Sequence, residues 1–452
     1  MKVLLIEPVD VLFFRDAVPM SAGQGKGSGC RLPCPTSFHE ALRSTLLLMD
    51  NEQIPDNKKV QGRPRNAPRR GNWHAAGHDG QTFIATRAFR SLRTIGPFPS
   101  KPNTGLLLPV PLDAVRHENS IARAELLRLP DVPANQTPSN PSDYKAPCVP
   151  VAVTPPAKSN QLSGWWTCEQ YRAYLGYSDT RHTTQHSSED FFRPVPTSAL
   201  WSAEHRIGVE IDPGSAASKE HQLYAATFLR PDTDTRFVAW VDLASTPSVT
   251  EEETKTRRKE LELLSTIKWL LLGGEFRLAR LRHLDGNDPP LPDPIESLRT
   301  PPSPTITNGP CLLKWILVTP GFFVHGSLPG WCVDTATDST GNKKPVGRVC
   351  LSGLPGRAHL ISWCIGKPRA VSGWDILDAQ PKPTLLVVPE GSVYYFLCEN
   401  GQTAEALATK LHWQPRSDFY GEKGCGYGLV SFEVRMHDTS PTIDTLAREV
   451  FA

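Results

Sequence analysis

Three short stretches concentrate the residue types that grip anions. The first reads Gly23-Gln24-Gly25-Lys26-Gly27-Ser28-Gly29, with Arg15 and Ser21 before it and Arg31 after it. The second is Gly421-Glu422-Lys423-Gly424-Cys425-Gly426-Tyr427-Gly428. The third is Gly273-Gly274-Glu275-Phe276-Arg277-Leu278-Ala279-Arg280. Glycine carries no Cβ, so backbone N–H groups can come close to a phosphate. A helix start just after the first stretch adds the positive end of its dipole. The lysines and arginines neutralise charge, and Tyr427 offers a ring on which a base could stack. Each stretch has a plainer reading too: a flexible turn, a hairpin loop, and a solvated strand face carrying Arg280 and Arg282 opposite Ala279 and Leu281. The first is not a P-loop, because no GxxxxGK[ST] occurs there.

Covalent chemistry has fewer candidates. His39, in the helix beyond the first glycine stretch, is the one histidine of 13 placed to act as a general acid or base on a bound RNA. A histidine on a helix face is more often structural. Cys30-x-x-x-Cys34 with His39 has part of a zinc pattern, but no fourth ligand follows at suitable spacing. Asp10 and Asp16 suit turn formation and pairing with Arg15 better than metal binding. No catalytic residue, metal or cofactor is expected.

These residues need a scaffold. Ser37-Phe38-His39-Glu40 reads as a capping box, and Phe38, Ala41, Leu42, Thr45, Leu46 and Met49 then follow helical spacing, predicting a helix over 37–49 that carries Arg43. Thr250-Glu251-Glu252-Glu253 opens a longer helix, about 250–272, ended by Gly273-Gly274. A short third helix falls near 402–411. Strands are expected at 2–7, 206–211, 222–229, 236–243, 276–283, 312–319, 359–365, 385–388, 393–398 and 427–434. The order predicts an α+β fold in which a βαββαβ, ferredoxin-like unit occurs twice.

At 452 residues the chain is long enough for two or three domains. Its 39% hydrophobic and 21% charged residues exclude a disordered chain. Lys+Arg 49 against Asp+Glu 47 gives +2, which excludes a uniformly basic nucleic-acid coat but leaves room for a local basic face. One such bias exists between Lys58 and Lys101, where ten basic residues face the single acid Asp79. Its Gly/Pro/Arg-rich part, 58–74, reads as a basic loop, either merely solvated or touching a nucleic-acid backbone. Proline, at 43 residues, makes helical bundles and coiled coils unlikely. Two proline-dense runs, 130–156 and 284–310, are expected to hold neither ladder nor helix. The second is taken as the boundary between a domain over 1–300, with insertions near 50–80 and 130–200, and another over 301–452. No signal peptide, membrane span, repeat or CxxC pair is visible, and the ten cysteines are scattered, so reduced thiols in the cytoplasm are expected.

The opening Glu-Pro-x-Asp-x-Leu-Phe-Phe-Arg-Asp, residues 7–16, resembles the N-terminal signature of Cmr subunit three, a RAMP-superfamily family of the type III-B CRISPR effector complex. Further matching pieces follow in order: Pro33-x-Pro35-Thr36, Arg206-Ile207-Gly208-Val209-x-Ile211-Asp212, Leu271-x-Gly273-Gly274-Glu275, Lys314 to Pro320, Gly373-Trp374-Asp375, Pro381-Lys382-Pro383, Val388-Pro389-x-Gly391-Ser392-Val393-Tyr394, and 421–428. Ala17-Val18 departs from the family's usual Gly-Arg, and the stretches 58–74 and 130–156 match no motif. The resemblance implies two RRM-like (ferredoxin-like) domains and a non-catalytic scaffold in antiviral defence. Such a subunit caps the 5′ handle of the crRNA and bridges the large polymerase-cyclase-like subunit to the backbone RAMP subunit, touching target RNA only indirectly. A thumb-like β-hairpin displaces a nucleotide near the handle–guide junction. The expected RNA-binding residues are Arg15, Ser21, Lys26, Arg31, Arg43, Gly273, Gly274, Arg277, Arg280, Lys423, Gly424, Gly426, Tyr427 and Gly428, with segments 15–31 and 421–428 on one surface. The alternatives are a metal-independent endoribonuclease processing crRNA precursors and, less favoured by the near-neutral charge, a stand-alone single-strand-binding protein.

Overall fold

The structure is a computed structural model. It describes residues 1–14, 26–28, 32–50, 89–117, 120–128, 146–151, 162–176, 190–212, 214–243, 251–284, 296–304, 308–332, 335–337, 343–345, 347–372, 374–375, 380–381, 383–438, 440 and 442–451. The basic loop 58–74 and most of the proline-dense run 130–156 lie outside the described residues. The end of that run, Cys148–Val151, does form a ladder, with Glu125–Arg128. The other proline-dense run holds a helical turn at Glu296–Arg299.

The chain is mixed α/β, with mostly antiparallel sheets and few helices. In the N-terminal part β1 (Lys2–Pro8), β2 (Lys26–Ser28), α1 (Pro35–Met49), β3 (Leu92–Lys101), β4 (Gly105–Pro109), β5 (Trp165–Thr167), α2 (Cys168–Leu175), β6 (Trp201–Ile211), β7 (Ser218–Pro231), β8 (Arg236–Leu243), α3 (Glu251–Thr266), β9 (Trp269–Leu271) and β10 (Leu278–Leu284) follow in order. Seven of the strands form one sheet, in the order β9-β10-β1-β8-β3-β4-β5. The hairpin β6–β7 takes β2 as a third, parallel strand. Further on come β11 (Cys311–Leu317), β12 (Ala358–Cys364), β13 (Val393–Cys398), α4 (Gly401–Leu411), β14 (Gly428–Ser431) and α5 (Ile443–Phe451), with a four-stranded sheet β12-β13-β11-β14. No helix among the described residues is long and apolar enough to cross a membrane.

Strand alternation builds the layers. On β1, Leu4 and Ile6 join a core with Phe38, Leu42 and Leu46 of α1 and Leu264 beyond mid-α3. Leu5 points the other way. It enters a core with Phe98 and Trp240 of the same sheet and Leu312, Ile316, Tyr395 and Leu429 of the second sheet. Leu313, Trp315 and Phe396 then turn outward from that second sheet onto Ala404, Leu407 and Leu411 of α4. The two sheets thus meet through one shared core, with helices on the outer faces.

Two helix boundaries differ from expectation. The Ser37 capping box does not form: α1 starts earlier, with Cys34 as N-cap and Pro35 at N1, where a missing N–H costs nothing. The second helix stops at Thr266, not Gly273. Ser265 and Thr266 turn their hydroxyls onto the carbonyls of Glu262 and Leu263. From there Leu270 and Leu272 are buried between the exposed Trp269 and Leu271, the period of a strand, which pairs with β10. In the second half no α-helix among the described residues lies between β11 and β12.

Candidate nucleic-acid interface

The segment leaving β1 is fastened on both sides. Leu12 exchanges backbone hydrogen bonds with Leu229 of β7 at 2.8 and 2.9 Å, and Gly274 N–H donates to the Phe13 carbonyl at 2.8 Å. Beyond it β2 runs beside β7, with Lys26 opposite Ala225 and Ser28 opposite Thr227. The first and third glycine stretches therefore converge on the base of the β6–β7 hairpin. Arg15, Ser21 and Arg31 lie outside the described residues, and Lys26 is described in its backbone only.

This convergence gives Gly273 and Gly274 a packing role against Phe13. Gly273 has φ +89°, and a Cβ there would run into the Phe13 carbonyl oxygen. The space that the missing side chain opens is filled by the protein's own backbone.

Around this junction stands a charge cluster. Arg206 reaches Glu204 at 2.6 Å and Asp10 at 3.7 Å, Arg230 pairs with the same Glu204 and lies 3.1 Å from Asp10, and Arg277 lies 3.9 Å from Asp10. The Arg206 and Arg277 guanidinium groups both sit 4.8 Å from the centre of the Phe228 ring, which packs on Phe13. Hydrogen bonds from Arg230 and Arg206 hold the Glu204 carboxyl down at about 2, and the same contacts raise Arg230. Three cations against two carboxylates leave one positive charge over, on a partly exposed surface. Arg280 and Arg282 are exposed on one face of β10, while Ala279 and Leu281 are buried on the other, as alternation predicts.

The C-terminal glycine stretch faces inward, which corrects several expectations. Tyr427 is 7% exposed and packs edge-on against Trp413 in the shared core, so its ring offers no free stacking face. Lys423, also 7% exposed, pairs with Glu40 of α1 at 3.0 Å and lies over the Tyr420 ring. Burial works against its charge, but Glu40, Glu422 and Tyr420 outweigh burial and raise its pKa. Gly424 lies against the Thr94 carbonyl and Pro35, Gly426 against the Ser417 backbone, and Gly428 against the Trp315 ring. Their missing side chains serve internal packing. Arg43 is 2% exposed, and burial lowers it to about 10 despite Glu260 and Glu40 nearby. It does not reach a surface.

Most of 15–31 lies outside the described residues; the chain just beyond it, at the start of α1, does meet the C-terminal stretch. There Cys34 and Cys425 share a buried cluster with Phe322 and Val387. The Cys425 hydrogen bond, and then Arg369, lower the Cys34 thiol to about 7 against the opposing effect of burial. The meeting is a packed joint, so a shared RNA surface is not built from Lys423 and Tyr427.

His39 is buried, with Nδ1 3.1 Å from the Thr94 hydroxyl. Burial first, then Lys423, holds it well below its ordinary value and neutral. Its ring is turned into the protein, against Thr94, rather than toward the described surface. Among the described residues no three His, Cys, Asp or Glu side chains gather as a metal site.

Sequence reasoning missed Asp10 as an anchor for arginines, and missed Glu204, Arg206 and Arg230. Glu204 and Arg206 stand two apart on one strand face, a signal that alternation alone could have used. Arg230 and Asp10 are 220 residues apart and gave none.

No curated protein matches the chain. Among solved structures, a chain of the type III-B Cmr-beta complex bound to cognate target RNA is 15% identical, with 94% of this chain and 95% of that chain covered and a TM-score of 0.41. A chain of the same complex with target RNA and AMPPnP is 15% identical, with 94% of each chain covered and a TM-score of 0.38. A chain of the Csm3-Csm4 subcomplex of the type III-A CRISPR-Cas interference complex is 13% identical, with 88% of this chain and 92% of that chain covered and a TM-score of 0.34. A family model described as CRISPR-associated protein (Cas_Cmr3) matches residues 4–432, most of the sequence, and the chain belongs to that family.

Proposed function

We propose that the chain is a non-catalytic RNA-binding scaffold of a type III-B CRISPR (Cmr) effector complex in the cytoplasm. It binds and caps the 5′ handle of the crRNA and bridges the large polymerase-cyclase-like subunit to the backbone RAMP subunits. One observation carries this reading beyond the family match: β1's exit, the Gly273 turn and β2 converge on a hairpin base ringed by Arg206, Arg230 and Arg277. Cations on a partly exposed surface at a backbone junction suit a phosphate chain.

The two halves, 1–300 and 301–452, are read as RAMP domains of the ferredoxin-like kind. Supporting this, both sheets run fourth-first-third-second: β10-β1-β8-β3 in one and β14-β11-β13-β12 in the other. The β6–β7 hairpin, with Ile207, Ile211 and Leu223 exposed, is the thumb that displaces a nucleotide near the handle–guide junction.

The test is binding of native-handle and scrambled-handle crRNA to the assembled complex at several salt concentrations. Preference for the native handle, lost when the β6–β7 tip is replaced by a short turn, is expected. Equal affinity for both RNAs at every salt overturns handle recognition. Precursor cleavage by the isolated chain overturns the non-catalytic role.

A further inference from the structure

The turn between β9 and β10 takes the left-handed backbone that tight hairpins use, but fills it with residues poorly suited to it. Glu275 and Phe276 both adopt left-handed backbone angles, φ +58° and +51°. That region is unfavourable for an L-residue, and a bulky aromatic is among the least suited to it. Yet the Phe276 ring is 85% exposed and so recovers nothing by burial. Glycine would relieve the strain at no cost in packing. A strained residue showing a free aromatic face points to a ligand for that face.

Its surroundings say which ligand. Phe276 precedes Arg277, which belongs to the Arg206–Arg230–Arg277 cluster with its one positive charge in excess over Asp10 and Glu204. An exposed ring one residue from an arginine of a net cationic cluster complements a flat base joined to a phosphate. A nucleotide supplies ring and anion in one rigid unit, whereas a protein needs an aromatic and an acidic side chain placed together.

We propose that Phe276 stacks on an unpaired base of single-stranded RNA, and that Arg206, Arg230 and Arg277 hold the neighbouring phosphate. Asp10 and Glu204 preset the guanidinium groups before RNA arrives. This rests on the RNA-binding reading above and adds to it a base-stacking residue and a phosphate clamp at the hairpin base.

The experiment uses the assembled complex and crRNAs carrying 2-aminopurine, a base whose emission is quenched by stacking, at single positions along the handle and first guide nucleotides. Phe276→Ala is expected to raise emission at one position and to weaken crRNA binding about tenfold. Phe276→Tyr restores both. Arg230→Ala is expected to flatten the salt dependence by about 0.7 in slope, one phosphate's worth on single-stranded RNA. Unchanged emission and affinity in a Phe276→Ala complex that still holds crRNA overturns the proposal and leaves the scaffold reading standing. Loss of a protein subunit from that variant, with RNA affinity of the isolated chain unchanged, overturns it in favour of a protein contact. Failure of the wild-type complex to need this chain for crRNA binding overturns both.

Discussion

Lys314 of β11 places its ammonium 2.8 Å from Asp113, a residue of the other half of the chain, and both side chains are at most 1% exposed. Tyr174 and Tyr395 donate to the same carboxylate at 2.6 and 3.0 Å, so the carboxylate accepts from three side chains. Burial pushes the Lys314 pKa down and Asp113 pulls it back up. Removing one partner strands a charge in the core. Asp113→Asn is expected to cost about 3–5 kcal/mol, and pairing it with Lys314→Met is expected to recover part of that. Urea unfolding of the single and double variants measures the coupling, and a strictly additive double variant would contradict it.

His412 supplies a pH dependence. Its Nε2 donates to the Leu298 carbonyl, and its Nδ1 accepts from Val430 N–H, so the neutral ring is fully used. Burial lowers its pKa to about 4, with the Leu298 bond opposing. A proton would land on Nδ1, facing another N–H. The unfolded chain binds that proton near the ordinary value of about 6.5. Stability from this group is therefore complete above about 6.5 and falls as pH drops toward about 4, by roughly 3 kcal/mol in all. His39 and His359, also lowered by burial, act in the same direction. Thermal melts between pH 7 and 4 should show a shallower decline for His412→Gln than for wild type.

Gly426 separates strain from overlap. At φ +74° a Cβ would collide with the Ser417 backbone, whereas at Gly326, φ +71°, nothing lies within 4 Å. Gly326→Ala should cost about 1–2 kcal/mol from backbone angle alone. Gly426→Ala should cost clearly more, read as a larger drop in denaturation midpoint. Equal losses would mean that the Ser417 loop simply gives way.

Lys423 is expected to behave as a core residue. Lys423→Met should leave the slope of crRNA binding against salt unchanged, because its ammonium already belongs to Glu40. A slope lowered by about one phosphate contact would show that RNA displaces Glu40.

The strands at 236–243 and 393–398 were legible because unbroken β-branched and aromatic runs are buried on both faces. The strand Leu92–Lys101 was not, since Pro97 and Pro99 argue against a ladder, yet they fit beside a register shift between Val238 and Trp240. The helix Cys168–Leu175 was missed although Thr167 and Gln170 form the capping box that sequence shows. At the site, glycine density correctly marked close backbone approach but carried no information about what approaches. Gly273 meets Phe13 and Gly426 meets Ser417, contacts that depend on long-range packing. Residue type likewise could not tell the inward Lys423 from the partly exposed Arg277, because burial is decided by which helix covers a loop.

The core shared by the two sheets is expected to make the halves on either side of it depend on each other for folding. Leu5, Phe98 and Trp240 on one side and Ile316, Tyr395 and Leu429 on the other would each lie bare if either fragment were made alone. Fragments 1–300 and 301–452 should therefore aggregate singly and complement each other when co-expressed, the Asp113–Lys314 pair fixing how they dock. A split-gene version of this subunit, active only where both fragments are produced, follows directly from that geometry.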